Sequence, residues 1–424
     1  MAGGIRFARI DQPARLMFDE KHYVPDTREY LVQGVEIERP AHPPAGKWLM
    51  AGAISIAGDR PIGWRLVPAV GGVVTVGATY LMGLTLFRRR WPAALATLLL
   101  SVDGLALTMS RIGMLDGIQA AFVAVGALFS LWDWRSDHRR WRWAAGLTFG
   151  VAVAVKWSSA PALAVAVVIA VVAELRRRRG DGPAGGLAAG AWRVIVPLAV
   201  VPVAVYVASY AGWFANVDRS ESGRERCVGT CSLTETASAW AFEQRDMFEL
   251  QGRLKTTHPD RSRPVAWLTL GDPVLYYAEG CVNLPPEQEC AVAPGKRARI
   301  VGVGNPALWW TALPAYAYLA WAALRRRQAR AAFLLAFIFG QVLPWFASWK
   351  PGFTFYLTPV APFVALAVAA AAADAVGRWR RLAIVAVGVA VAALALAVWL
   401  YPIWTGMELS PDAIDARLWF SSWR

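Results

Sequence analysis

An all-α, polytopic membrane protein is the fold class this sequence predicts, on three observations. Of its 424 residues 56% are hydrophobic and only 17% charged, far from the balance of a soluble domain. Apolar runs long enough to cross about 30 Å of hydrocarbon recur along the chain, as in 63–87, 193–213, 353–373 and 382–400. Between them the arginines gather in short clusters, 88–90, 135–142, 176–179, 325–330 and 378–381, at every second connection. Short cytoplasmic loops that retain Lys and Arg produce that alternation. The same placement accounts for the net charge of +14 and argues against nucleic-acid binding as its explanation.

About ten transmembrane helices follow, near 64–86, 91–109, 114–132, 143–156, 159–175, 194–212, 306–323, 331–347, 355–374 and 382–401. With the arginine clusters inside, 1–62 is a first outer loop and 63–212 an N-terminal transmembrane bundle. A large extracytoplasmic loop over 213–305, a C-terminal transmembrane bundle over 306–402 and an extracytoplasmic tail over 403–424 complete the chain. No apolar targeting core follows Met1, so a further segment is expected in front. All four cysteines, Cys227, Cys231, Cys281 and Cys290, fall in the large loop. An oxidising compartment favours disulfides there, so two bridges are expected, with the pairing open among three connectivities. Zinc is the weaker alternative, because no His stands at ligand-like spacing from either pair. In the same loop Trp240, Met247, Phe248 and Leu254 share one helical face, with Glu243, Arg245, Glu249 and Arg253 around it, which predicts a helix lying along the membrane surface.

Several charged residues stand where an apolar chain makes charge costly. Asp19 and Glu20 are adjacent in Phe18-Asp19-Glu20-Lys21-His22-Tyr23, so in a helix they diverge by about 100° and take different jobs; a solvated capping pair is the alternative. Arg111 and Asp116 occupy the turn Ser110–Asp116 between two runs. A lone outward Arg against the positive-inside trend is a functional candidate, and a structural Arg–Asp pair is the competing account. Asp103, inside the preceding span, suits a hydrogen bond within the bundle at least as well as catalysis. Lys350 and Lys156 are single outer-face cations beside Trp, which fits either phosphate contact or snorkelling at an aromatic belt. His42 and Lys47 flank a stiff Pro43-Pro44 and either aim donors into a site or open a helix. His258, ahead of Pro259, is a surface residue or a ligand contact.

The order of these motifs is itself informative. The acidic pair is followed by His42–Trp48, Gly63-Trp64-Arg65-Leu66, Ser110–Asp116, Lys156-Trp157-Ser158, Gly304-Asn305-Pro306 with Trp309-Trp310, and Lys350-Pro351-Gly352 leading into Phe355-Tyr356-Leu357. Over nearly its whole length the chain resembles the protein O-mannosyltransferases, in the bacterial, actinobacterial-type branch that uses a polyprenyl-phosphate mannose donor. The resemblance implies a GT-C glycosyltransferase fold, a multi-pass protein of the plasma membrane, and an active site on the extracytoplasmic face. It implies transfer of mannose from polyprenyl-phosphate mannose to Ser or Thr of exported proteins. Membrane lipid is then a partner, the protein-export machinery a further one, and nucleic acid is none.

By the same resemblance Asp19 is the base and Glu20 its positioning partner. Arg111, Asp116, Lys350, His42, Lys47 and His258 surround the donor. No cofactor is assigned with certainty, and a divalent metal is left open. The chain departs from the family in two places. Members normally begin with a transmembrane helix ahead of the acidic pair, whereas this chain is expected to start within the first outer loop. Histidines usual in the large-loop helix are reduced to His258. A GT-C transferase acting on a lipid or glycan, an inactive paralogue and a transporter-like protein remain the alternatives.

Overall fold

Each expected span forms helix in the computed structural model, which describes residues 1–38, 40–136, 138–181, 187–227, 229–253, 259–280, 292–348 and 352–424. Three helices precede the first span: α1 (Ala2–Phe7), α2 (Glu20–Gln33) and α3 (Ala45–Ala57). α2 starts at the acidic pair, with Asp19 in the cap position and Glu20 as its first residue. It stops at Gly34, whose φ of +73° is the left-handed geometry that glycine supplies without strain.

The first bundle contains α4 (Pro61–Phe87), α5 (Arg90–Ser101), α6 (Gly104–Met109), α7 (Leu115–Arg135), α8 (Arg140–Val155) and α9 (Ala160–Asp181). It closes with α10 (Leu187–Ile195) and α11 (Val201–Ser209), joined by a π turn at Val196–Val200 that carries Pro197. The large loop follows: α12 (Ala211–Ala215), α13 (Glu221–Arg226), α14 (Leu233–Arg253), α15 (Pro264–Thr269), and an antiparallel pair, β1 (Leu275–Gly280) with β2 (Arg297–Val301). The second bundle is α16 (Pro306–Arg325), α17 (Ala329–Val342), α18 (Ala361–Arg378) and α19 (Ala383–Thr405), trailed by α20 (Pro411–Asp415).

Seven helical segments among the described residues are long and apolar enough to cross a membrane. The other three expected spans fall short for local reasons. Segment 91–109 is broken between α5 and α6, α8 has 16 residues, and α16 dilutes its 20 residues with Trp, Tyr and Pro. The break at Asp103 answers the question its sequence raised. One carboxylate oxygen caps the Ala106 N–H at 3.0 Å. The other accepts from the Asn305 N–H and the Trp309 indole, both at 2.8 Å. Asp103 is a hydrogen-bonding tie between the bundles.

α18 is the centre of the molecule, buried from Ala361 to Ala370 and surrounded by α4, α5, α16 and α17. α9 bridges from α7 to α17. α19 instead exposes Val385, Val387, Val391 and Val398, an apolar face suited to lipid. α4, α7 and α9 all run from the end that carries Arg65, Asp116 and Lys156 to the end that carries Arg88, Arg135 and Arg176. Along the 21 residues of α7 these ends stand about 30 Å apart.

One expectation for the large loop changes and another is narrowed. α14 does not simply lie along a membrane: Ala239 and Met247 are buried against the protein, Glu243 accepts from the Trp213 indole at 2.6 Å, and Gln244 accepts from the Tyr206 hydroxyl at 2.6 Å. Of its expected apolar face Phe248 stays exposed, while Leu254 lies outside the described residues. Cys227 is bonded to Cys231, so this pair is a disulfide and not half of a zinc site. Cys281 and Cys290 lie outside the described residues.

Candidate active site

The two adjacent carboxylates have opposite surroundings. Glu20 is wholly buried and its oxygens are saturated. Oε1 accepts from Arg65 Nε at 2.7 Å and from the Gly113 N–H at 2.6 Å. Oε2 accepts from a terminal Arg65 nitrogen at 2.9 Å and from the Met17 N–H at 3.0 Å. Arg65, on the first turns of α4, also donates to the carbonyls of Ile10, Pro13 and Arg15 at 3.1, 2.7 and 3.2 Å. One guanidinium therefore gathers the 10–20 segment around itself. A charge so deep is tolerable only because its donors are matched by acceptors.

Asp19 is left open by the same arrangement. Phe18, at φ +43°, takes a left-handed conformation that costs about 1–2 kcal/mol and packs its ring edge-on against Tyr276 and Phe355, 5.1 and 6.0 Å away. The turn it makes separates the two acidic side chains. Asp19 is half-buried and accepts one long hydrogen bond, from the Tyr23 hydroxyl at 3.3 Å. Burial pushes its carboxyl above the usual 3.8, with the Lys156 ammonium pulling it back and Asp116 pushing it further up. When ionised, such a group is a stronger base than a solvated aspartate.

Opposite it, Lys156 at the end of α8 is buried and donates to Asp116 Oδ2 at 2.7 Å. Its ammonium also lies 5.2 and 5.5 Å from the ring centres of Phe355 and Tyr356, within cation–π range. The second Asp116 oxygen has no partner among the described residues. Beside this pair opens a cavity of about 350 Å³, lined by His42, Lys156, Trp157, Phe248, Trp345 and Tyr356 among others. The Trp345 and Tyr356 rings are stacked at 4.1 Å on that wall. A cation at the base of an aromatic cleft suits a ligand that is part apolar and part anionic. Among the described residues no group of three or more His, Cys, Asp or Glu side chains could hold a metal ion, so the divalent metal left open by the sequence finds no ligand set there.

Known proteins share this arrangement of elements. Residues 41–206 match the family described as dolichyl-phosphate-mannose-protein mannosyltransferase, and residues 237–423 match the C-terminal four TMM region of protein-O-mannosyltransferase. A polyprenol-phosphate-mannose–protein mannosyltransferase of Mycobacterium tuberculosis is 31% identical, covering 96% of this chain and 86% of its own. The chain belongs to the protein O-mannosyltransferase family. The protein of the same description from Mycolicibacterium smegmatis is 30% identical over 100% of this chain and 91% of its own. The S. cerevisiae protein O-mannosyltransferase Pmt1–Pmt2 complex bound to the sugar donor aligns with a TM-score of 0.81 at 13% identity, over 100% of this chain and 91% of that one. ArnT from Cupriavidus metallidurans bound to undecaprenyl phosphate aligns at 0.59 and 17% identity, over 94% of this chain and 68% of that one. At such identities these structures speak for the fold, which is that of the GT-C membrane glycosyltransferases.

Within this protein O-mannosyltransferase the residues expected around the donor separate into groups. His42 lines the cavity, its ring 5.9 Å from that of Tyr23, and Asp116 sits beside it through Lys156. Arg111 does not reach the cavity. Its guanidinium donates to the carbonyls of Ile5, Arg6, Ala8 and Arg9 at 3.0, 2.9, 2.7 and 3.1 Å, tying the end of α1 and the residues after it to the bundle. The Arg111–Asp116 pair considered from the sequence does not form, because Asp116 takes Lys156. Lys47 is also turned away, fully buried between Asp26, at 3.1 Å, and Glu36. Lys350 and His258 lie outside the described residues.

Sequence reasoning missed Arg65 and undervalued Lys156. Arg65 had a usable signal, since an ionisable residue inside an apolar run is a functional candidate by default. Lys156 read as a snorkelling side chain, and nothing local distinguishes the two cases. Tyr23 and Tyr356 carried no signal of their own.

Proposed function

We infer that the chain transfers mannose from a polyprenol-phosphate carrier to the side-chain hydroxyl of Ser or Thr in exported proteins, with Asp19 as the base. The observation that carries the mechanism is the unequal treatment of the acidic pair: Glu20 has four donors and no solvent, while Asp19 stands open beside Lys156. Its relatives' description as polyprenol-phosphate-mannose–protein mannosyltransferases supports the donor and the class of acceptor.

In this reading Asp19 takes the proton of the acceptor hydroxyl as its oxygen bonds to the anomeric carbon of mannose. The bond from that carbon to the phosphate oxygen breaks, and the electron pair leaves with polyprenyl phosphate. Attack opposite the leaving group inverts the anomeric centre. Lys156 and His42, on the cavity wall, face the growing phosphate charge, and electrostatic stabilisation of that kind is commonly the largest catalytic term. Glu20 works through Arg65 and Gly113 to hold the loop, which makes it a positioning residue. The arginine clusters lie on the cytoplasmic side of the plasma membrane, so the reaction faces outward, where exported chains arrive from the export machinery.

Membranes containing the full chain should move labelled mannose from polyprenyl-phosphate mannose to a Thr-rich peptide. Asp19→Asn should slow transfer by about 10²–10⁴-fold, the usual worth of a general base. No transfer by the unaltered protein sinks the activity. Equal transfer by Asp19→Asn at matched protein levels sinks only the base.

A further inference from the structure

At the end of the bundle remote from Asp19, cations outnumber the carboxylates available to them. Asp133 is taken by Arg142 and Arg177, Glu174 by Arg139, Arg142 and Arg193, and Asp374 by Arg330. Arg88, Arg135 and Arg176 have no carboxylate partner among the described residues. Arg135 lies in the positive field of both Arg88 and Arg330, and Arg176 rests on the face of Trp134, 4.0 Å from the ring centre. Gathered like charges, of which only Arg330 has a carboxylate partner among the described residues, are an electrostatic cost that a bound anion relieves.

Two of these arginines, together with Arg330, rim a cavity. Between the ends of α4 and α7, the middle of α9 and the start of α17 lies a space of about 680 Å³. Arg135, Arg176 and Arg330 stand at its rim, and Leu86, Val168 and Phe333 are among the apolar side chains of its wall. At the first turn of α17 the Ala331 and Ala332 N–H groups donate to the Gln328 carbonyl, which leaves the N–H groups of Ala329 and Arg330 without a carbonyl partner in the helix. Together these features have the shape of a phospholipid: charge at the rim, hydrocarbon below it. Val168 and Val172 are exposed, so the groove opens sideways toward lipid.

We propose that this cavity binds an anionic phospholipid of the arginine-side leaflet, with its phosphate among Arg135, Arg176 and the start of α17 and an acyl chain along α9. Charge complementarity selects the occupant. A zwitterionic lipid brings its own cation into a rim that already has too many, and a purely apolar ligand leaves the guanidinium surplus unanswered. The site is independent of the transfer reaction and lies about 30 Å from it along α7.

The test uses the purified full chain in detergent, with phosphatidylglycerol, phosphatidylcholine and inorganic phosphate as separate probes, read by lipid retention in native mass spectrometry and by melting temperature. Phosphatidylglycerol should be retained and should raise the melting temperature, and phosphatidylcholine should do neither. Replacing both Arg135→Gln and Arg176→Gln should weaken phosphatidylglycerol about thirtyfold, or about 2 kcal/mol at 1.4 kcal/mol per tenfold. Ala332→Trp, at an exposed wall position, should block the hydrocarbon part without touching the arginines, and it stands in if the double variant fails to fold. Equal retention of both lipids overturns the proposal, as does unchanged phosphatidylglycerol binding in a folded variant. If inorganic phosphate alone reproduces the stabilisation, the rim is an anion site and the lipid assignment fails.

Discussion

Neutralising each member of the acidic pair in turn should produce opposite phenotypes. Glu20 and Arg65 have no solvent exposure, and the carboxylate receives four hydrogen bonds, two of them from the guanidinium. Glu20→Gln keeps the shape but turns an amide N–H₂ toward donors and leaves Arg65 uncompensated. Breaking a buried pair in this way costs about 3–5 kcal/mol, read as a fall of several degrees in melting temperature in detergent. Asp19 behaves in the other sense. Burial raises its folded-state pKa above 3.8, so the folded state holds the proton more tightly than the unfolded one. Its ionisation therefore subtracts stability as pH rises from the unfolded value through the raised folded value. At neutral pH Asp19→Asn removes that penalty, and the variant should melt at or above the unaltered protein, with the advantage disappearing below about pH 4. Its transfer rate should nevertheless fall about 10²–10⁴-fold. Paired melting curves and transfer assays decide the matter. If Glu20→Gln melts normally, or if Asp19→Asn loses as much stability as Glu20→Gln, the division of labour drawn from the geometry is wrong.

Three further outcomes follow from the same contacts. Arg111→Lys loses the planar fork that reaches four carbonyls, so stability should drop by about 1.5–3 kcal/mol while KM for the donor in the folded fraction stays unchanged; a raised KM with normal melting would return Arg111 to the donor site. Lys156→Gln should lower both melting temperature and transfer by leaving Asp116 buried without its cation, and Lys156→Arg should recover the melting temperature more fully than the transfer. The acidic limb of kcat/KM should lie above the ordinary aspartate range, as the raised Asp19 carboxyl requires, and should move up again in Lys156→Gln, whose lost ammonium was drawing that carboxyl down; pH profiles of both proteins measure it.

Much of the fold was legible in the sequence because the bilayer imposes simple demands. Hydrocarbon admits only long apolar segments with internally satisfied backbones, and the arginine clusters then mark alternate connections. The places where this reading fell short are places where a polar group interrupts a span. Asp103 splits one expected helix into α5 and α6 because its carboxylate serves Asn305 and Trp309, some two hundred residues away in the chain. α14 looked like a surface helix because its partners Trp213 and Tyr206 belong to a different segment, and spacing along one helix does not reveal what covers it.

Roles within the site were harder to read, and for one physical reason. What a buried charge does depends on which groups neutralise it, and the neutralising groups are distant in sequence. Glu20 is silenced by Arg65 and Gly113, Arg111 by carbonyls near the start of the chain, and Lys47 by Asp26 and Glu36. Each looked as available as Asp19 when only neighbours were visible. Subtracting the charges already answered leaves Asp19, with its one long hydrogen bond, and the unpartnered oxygen of Asp116, whose partner Lys156 lines the aromatic cavity. At the other end arginines without a carboxylate partner among the described residues remain, Arg88, Arg135 and Arg176 among them. The two remainders have different characters. Near Asp19 acid and base are almost balanced, which lets an incoming phosphate shift the pKa of a neighbouring carboxylate. At the arginine end one sign dominates, which favours holding an anion rather than transforming it.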